Sequence, residues 1–131
     1  MVKKIIVFGC AHSGTTILKS IIGHIEQVEE IQNEQKIIKK NQLTTDKDYI
    51  ICKWPDVLIN FFEDSYKDYI KIFIVRNPLW VFSSLNRRNN TKMLSKYSIS
   101  KYNQMLQLFH NLSQKESVND LYTIKYEDLF E

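Results

Sequence analysis

The sequence predicts an α/β domain in three layers, with a mostly parallel four-stranded sheet between helices. Three observations carry this expectation. Short β-branched apolar runs recur along the chain, helical apolar periodicities lie between them, and the strand-to-helix turns at 9–16 and 76–78 hold the Gly, Asn and Pro that such turns need. Strands alternating with helices read as βαβ units, whose crossovers are right-handed. A chain of 131 residues suits one domain, placed at 1–131, and buries roughly 65–70% of the surface its unfolded form exposes.

Residues 2–9 (VKKIIVFG) form a β-branched run ending in glycine, the pattern of a strand buried on both faces. Ile17, Leu18, Ile21, Ile22 and Ile25 then give one apolar face to a helix over 15–26. From 29 to 47 the chain is rich in Gln, Asn and Lys, with Ile31, Ile37, Ile38 and Leu43 as its apolar anchors, and reads either as an irregular connection or as a loosely packed helix. YIICK at 49–53 is the second strand. Pro55 and Asp56 start the next helix, and Val57, Leu58, Phe61, Phe62 and Tyr66 form its apolar face. IKIFIV at 70–75 is the third strand, after which Asn77 supplies an N-cap and Pro78 the first helical position. Helical spacing of Leu94, Tyr97, Tyr102, Met105, Leu106, Phe109 and Leu112 runs to about 113, and a last strand at 121–125 ends in Tyr126, Glu127 and Asp128.

Composition excludes several classes. With 44% hydrophobic and 25% charged residues the chain is an ordinary globular one, neither disordered nor collagenous. Apolar stretches such as Ile5 to Phe8 fall far short of the ~20 residues that cross a bilayer, and the N-terminus lacks the apolar core of a secretory signal. A cytoplasmic location follows as the expectation. Cys10 and Cys52 are too few and too far apart for a disulfide scaffold or a metal site, and read as reduced and semi-buried. The net charge of +3, with lysines interspersed among acids, gives no nucleic-acid footprint. Arginine is more telling: among eighteen Lys and Arg residues the only Arg are Arg76, Arg87 and Arg88. The rigid fork of Arg grips phosphate oxygens bidentately, so this clustering points to an anion site near residue 76.

The segment Gly9-Cys10-Ala11-His12-Ser13-Gly14-Thr15-Thr16 follows a strand and opens a helix, where backbone N–H groups and the helix dipole favour an anion. Its glycines have P-loop spacing, yet Thr15 stands where G-x-x-x-x-G-K-[ST] has the lysine that reaches the β and γ phosphates. A triphosphate enzyme also needs a strand-end acid for Mg²⁺, and the third strand ends in Arg76 instead. The domain is thus P-loop-like, with an anion held by Ser13, Gly14, Thr15, Thr16 and the backbone and with no metal. A side chain at Gly14 should fill the space in which the backbone meets that anion. Taken singly, the S-G-T-T turn reads equally as a plain connection, and Arg76 equally as half of a surface ion pair. Both fall on the same edge of the sheet.

Together these residues resemble the sulfotransferases that use 3'-phosphoadenosine 5'-phosphosulfate (PAPS). HSGTT at 12–16 resembles their 5'-phosphosulfate loop, IFIVRNPLWVFSS at 72–84 their 3'-phosphate motif, and IKYEDLF at 124–130 the YEDL segment near the end of the family's core. The resemblance spans nearly the whole chain in order. It implies transfer of a sulfuryl group from PAPS to an acceptor hydroxyl or amine with release of PAP, Arg76 and Ser84 binding the 3'-phosphate. His12 stands in the place of the family's basic residue, so His12 and Lys53 are the cations for the developing negative charge. CKWP at 52–55 resembles segments where a Glu or His is the general base; those places hold Cys52 and Pro55, which leaves Asp56 as the nearest carboxylate, though a helix-start role suits it better. The acceptor is open among carbohydrate, lipid, small molecule and protein side chain, with a partner subunit as one way of completing its site. His24 and His110 read as structural, and Trp54 and Trp80 as core packing. A nucleotide kinase relative and a non-catalytic nucleotide-binding module are the alternatives.

Overall fold

Parallel pairing along the whole of the first strand organises the chain. In the computed structural model, which describes residues 1–9, 14–54, 66–87, 102–104, 106, 107, 110, 111, 114 and 120–130 (side chains of 82, 84–87 and 130 excepted), the elements are β1 (Lys3–Phe8), α1 (Thr15–Gly23), β2 (Val28–Glu30), β3 (Tyr49–Trp54), β4 (Tyr69–Val75), α2 (Pro78–Arg87) and β5 (Leu121–Lys125). Short 3₁₀ segments lie at Lys40–Gln42 and Tyr126–Phe130. The sheet order is β2-β3-β1-β4-β5 and every pairing is parallel. Among the described residues the sheet therefore has five strands where the sequence predicts four, and every pairing is parallel. The added strand, β2, is three residues of a polar stretch that shows no β-branched run; pairing with β3 creates it, through Val28 opposite Tyr49 and Glu30 opposite Ile51.

The apolar strands read as continuous runs because both faces of the sheet are covered. On one face Ile5, Val7, Ile51, Ile72 and Ile74 pack with Leu18 of α1 and with Val28. On the other, Ile6, Phe8, Ile50, Cys52 and Phe73 pack with Ile31, Ile38, Tyr66 and Tyr69. Helix α1 ends at Gly23, three residues before the predicted end, where the Glu30 side chain lies so close that a Cβ on Gly23 would stand 2.7 Å from its Oε2. Among the described residues no helix is long and apolar enough to cross a membrane.

Of the two readings of the polar stretch after β2, the irregular connection is the one found, with one short 3₁₀ turn at Lys40–Gln42, and specific hydrogen bonds hold it in place. Lys19, buried on α1, donates to the carbonyls of Ile31 (2.7 Å) and Gln32 (3.4 Å) and pairs with Glu30 at 3.5 Å. Tyr69 Oη accepts from Ile38 N (2.9 Å), Tyr66 Oη donates to Lys36 O (2.7 Å), and the amides of Gln35 and Gln42 bond reciprocally at 2.6 and 3.1 Å. Backbone bonds from Ile31 N to Ile51 O (3.0 Å) and from Gln35 N to Lys53 O (3.2 Å) extend the segment along β3 to its carboxyl end. Residues 55–65 of the helix predicted to start at Pro55 and Asp56, and Cys10, lie outside the described residues, while Tyr66, the last of its predicted apolar face, is buried against the sheet.

Cys52 is fully buried, not semi-buried, and burial pushes its thiol from 9.0 up to about 12. Below pH 9 folded and unfolded chains both carry the thiol. As the pH rises from 9 toward 12 only the unfolded chain ionises, so the stabilisation is lost over that window. The stability advantage of wild type over Cys52→Ala should be constant below pH 8.5 and shrink above pH 9, with a limiting slope of about 1.4 kcal/mol per pH unit. Urea denaturation of both proteins between pH 7.5 and 10.5 measures it; parallel pH profiles would refute it.

Candidate functional site

The strand order decides where a ligand fits. From β1 the chain turns through α1 toward β2 on one side, whereas from β4 it turns through α2 toward β5 on the other. Connections leaving adjacent strands in opposite directions open a crevice at their carboxyl ends, the position where ligands of parallel α/β sheets bind. Gly14, at the start of α1, and Arg76, directly after β4, flank that crevice.

Gly14 is the N-cap of α1, with φ 102° and ψ 20°, a left-handed conformation that glycine adopts without strain. It has no side chain to satisfy the N–H groups of the first turn, and the first turn carries no acid, so the helix dipole leaves positive partial charge there. Thr15 is buried. Thr16 is exposed. The ammonium of Lys53, at the end of β3, donates to Thr16 Oγ1 (2.5 Å) and to Glu34 Oε1 (2.7 Å). Because Thr16 accepts from an ammonium, its own hydroxyl proton is freed and strengthened as a donor.

Arg76 is fixed at both backbone and side chain. Tyr102 Oη, itself buried, donates to Arg76 O (2.5 Å) and accepts from Arg76 N (3.3 Å). The guanidinium lies over the Tyr126 ring, Cζ 4.2 Å from the centroid. That ring packs against Gly14: a Cβ at residue 14 would fall on it, 2.8 Å from Cε2 and 3.3 Å from Ile74 Cδ1. The expectation that a side chain at Gly14 fills the anion's space is thereby corrected, since the first atom it meets is an aromatic ring. Next along, Glu127 Oε1 accepts from Asn77 N (2.8 Å), and Asn77 Oδ1 accepts from Leu79 N (3.0 Å), the predicted cap of α2.

Of the residues singled out from sequence, the structure brings Gly14, Thr15, Thr16, Lys53 and Arg76 to the carboxyl edge of the sheet. Ser84 falls within α2, and its side chain is outside the described set, as are His12, Ser13 and Asp56. His24 sits exposed at the end of α1 with Nδ1 2.6 Å from Ser20 O, and His110 is exposed and helical. Trp54 is half-buried beneath the Lys36 ammonium, 4.9 Å from its ring centroid, whereas Trp80 is 56% exposed and not core. Val81, one residue on, is fully buried. Glu34, Tyr102, Tyr126 and Glu127 were not singled out as site residues; for Glu34 the only sequence signal was an acid isolated among amides. No family model, curated protein or solved structure matches the chain.

Replacing Gly14 by Ala combines a left-handed backbone with a collision against Tyr126 and should cost about 2–4 kcal/mol of stability. In a Tyr126→Ala background only the backbone part, about 1–2 kcal/mol, should remain. A double-mutant cycle by chemical denaturation checks this, and equal costs in both backgrounds would show that the ring contact is immaterial.

Proposed function

We propose that this chain is a PAPS-dependent sulfotransferase with a P-loop-like anion site, passing a sulfuryl group from PAPS to an acceptor hydroxyl or amine and releasing PAP. One observation carries the reading: Lys53 and Thr16 on the β1 side of the crevice and Arg76 on the β4 side form two cationic positions flanking one ligand site. A donor with phosphate groups at both ends of its ribose needs two such positions. A triphosphate kinase needs a lysine where buried Thr15 stands.

In this reading the N–H groups of α1 and the Thr16 hydroxyl hold the phosphosulfate, and Arg76 with Ser84 holds the 3'-phosphate. Sulfuryl transfer resembles phosphoryl transfer in having a loose transition state, so catalysis rests on in-line placement and on charge stabilisation at the departing oxygen. Lys53 supplies that charge, together with His12. The S–O bond to the 5'-phosphate breaks as the bond to the acceptor forms, and the acceptor's proton must leave. Glu34, a half-exposed carboxylate beside Lys53, is the base for that proton in place of Asp56.

Calorimetry with PAP and ATP, with and without Mg²⁺, followed by turnover of labelled PAPS, tests the reading. Metal-independent preference for PAP and transfer to an acceptor are expected; preference for Mg·ATP would overturn it. Arg76→Ala should weaken PAP by ~1.5–3 kcal/mol while leaving adenosine 5'-phosphosulfate unchanged. Equal losses for both ligands would remove Arg76 from the 3'-phosphate role.

A further inference from the structure

The ion pair between Lys53 and Glu34 is asymmetric. The Lys53 side chain is 9% exposed and the Glu34 side chain 47%. The lysine is set by the β3 ladder, with Val7 as its register partner on β1, and its ammonium is further tied to Thr16 of α1. Glu34 lies beyond β2, next to Gln35, whose N–H bonds Lys53 O at the end of β3. Desolvating the ammonium has therefore already been accounted for in the fold, and what the buried cation requires is an anionic partner, not this carboxylate in particular. A phosphate or sulfate oxygen at the first turn of α1 would meet the same ammonium through Thr16. Of the two partners Glu34 is the one that moves at low cost, because half of it already faces water and release completes its hydration.

We propose that Glu34 and the donor's anionic group compete for Lys53, so that donor binding transfers the ammonium from the carboxylate to the donor and frees the carboxylate. This rests on the sulfuryl-transfer reading and adds an order to it. The donor binds first, Lys53 turns its charge onto the group to be transferred, and only then is Glu34 available to take the acceptor's proton. An acceptor arriving before the donor meets a carboxylate whose Oε1 is already occupied by the Lys53 ammonium. The same ion pair thereby couples loading of one substrate to activation of the other.

The test uses inorganic pyrophosphate as the anion and calorimetry on wild type, Glu34→Gln, Lys53→Met and the double variant. Glu34→Gln should tighten pyrophosphate about five-fold, since the competitor is neutralised, and the gain should vanish in the Lys53→Met background. A gain of the same size in both backgrounds means simple charge repulsion and overturns the proposal, as does equal affinity of wild type and Glu34→Gln. In that last case the anion site itself stands; if pyrophosphate binds none of the four proteins, the anion site and the proposal fail together. Should Lys53→Met not fold, carbon-13 NMR of the Glu34 carboxyl in wild type decides. Its resonance should move on saturation with pyrophosphate, and an unmoved resonance at saturation overturns the proposal.

Discussion

The Tyr126 ring, lodged against Gly14 and under Arg76, is the contact on which the arrangement of the site depends. It joins three pieces of chain that are remote in sequence: the turn after β1, the residue after β4 and the first residue beyond β5. Without a side chain at Gly14 the ring approaches the backbone closely, and its face then supports the guanidinium by cation–π attraction. Under the proposed reading this orientation matters, because a planar fork recognises an anion only when held in place. Tyr102 fixes the same residue from behind through its backbone, so the arginine is located by two rings from separate parts of the chain.

A second constraint acts on the opposite flank. Buried Lys19 holds the carbonyls that end β2, and this directs the chain along β3 until Glu34 reaches Lys53. Two buried lysines thus do different work. Lys19 is consumed in holding the backbone, whereas Lys53 touches a hydroxyl and a half-exposed carboxylate at the rim of the crevice. Lys71 is a third, at the opposite end of the sheet, where its ammonium donates to the carbonyls of Tyr66 (3.1 Å) and Tyr69 (2.9 Å) and burial lowers its pKa. Position relative to the carboxyl ends of the strands, not burial, separates Lys53 from Lys19 and Lys71, whose ammonium groups bond backbone carbonyls.

The residues legible from sequence are those whose signals are local. The run at Ile5 to Phe8, the glycine before α1 and the Asn77-Pro78 start of α2 each declare a strand, a turn or a cap within a few residues, and all are found where expected. The cations were also legible in part, because Lys53 and Arg76 stand at strand ends in a pattern whose carboxyl edge is fixed by alternation of strands and helices. Glu34 was not. Its neighbours are Gln, Asn and Lys with no period, and its importance comes from pairing with a residue nineteen positions on.

The sequence by itself determined the α/β class, the strand-loop-helix unit around Gly14 and the placing of basic residues at strand ends, because hydrophobic period and turn chemistry act over short distances. Tertiary structure alone decided the fifth strand, the placement of β1 between β3 and β4, the seat of Tyr126 on Gly14 and the meeting of Glu34 with Lys53. The physical reason is common to all four. Each is a contact between segments far apart in the chain, stabilised by burial and pairing that exist only after the sheet has formed, and no local pattern encodes which distant partner will be there.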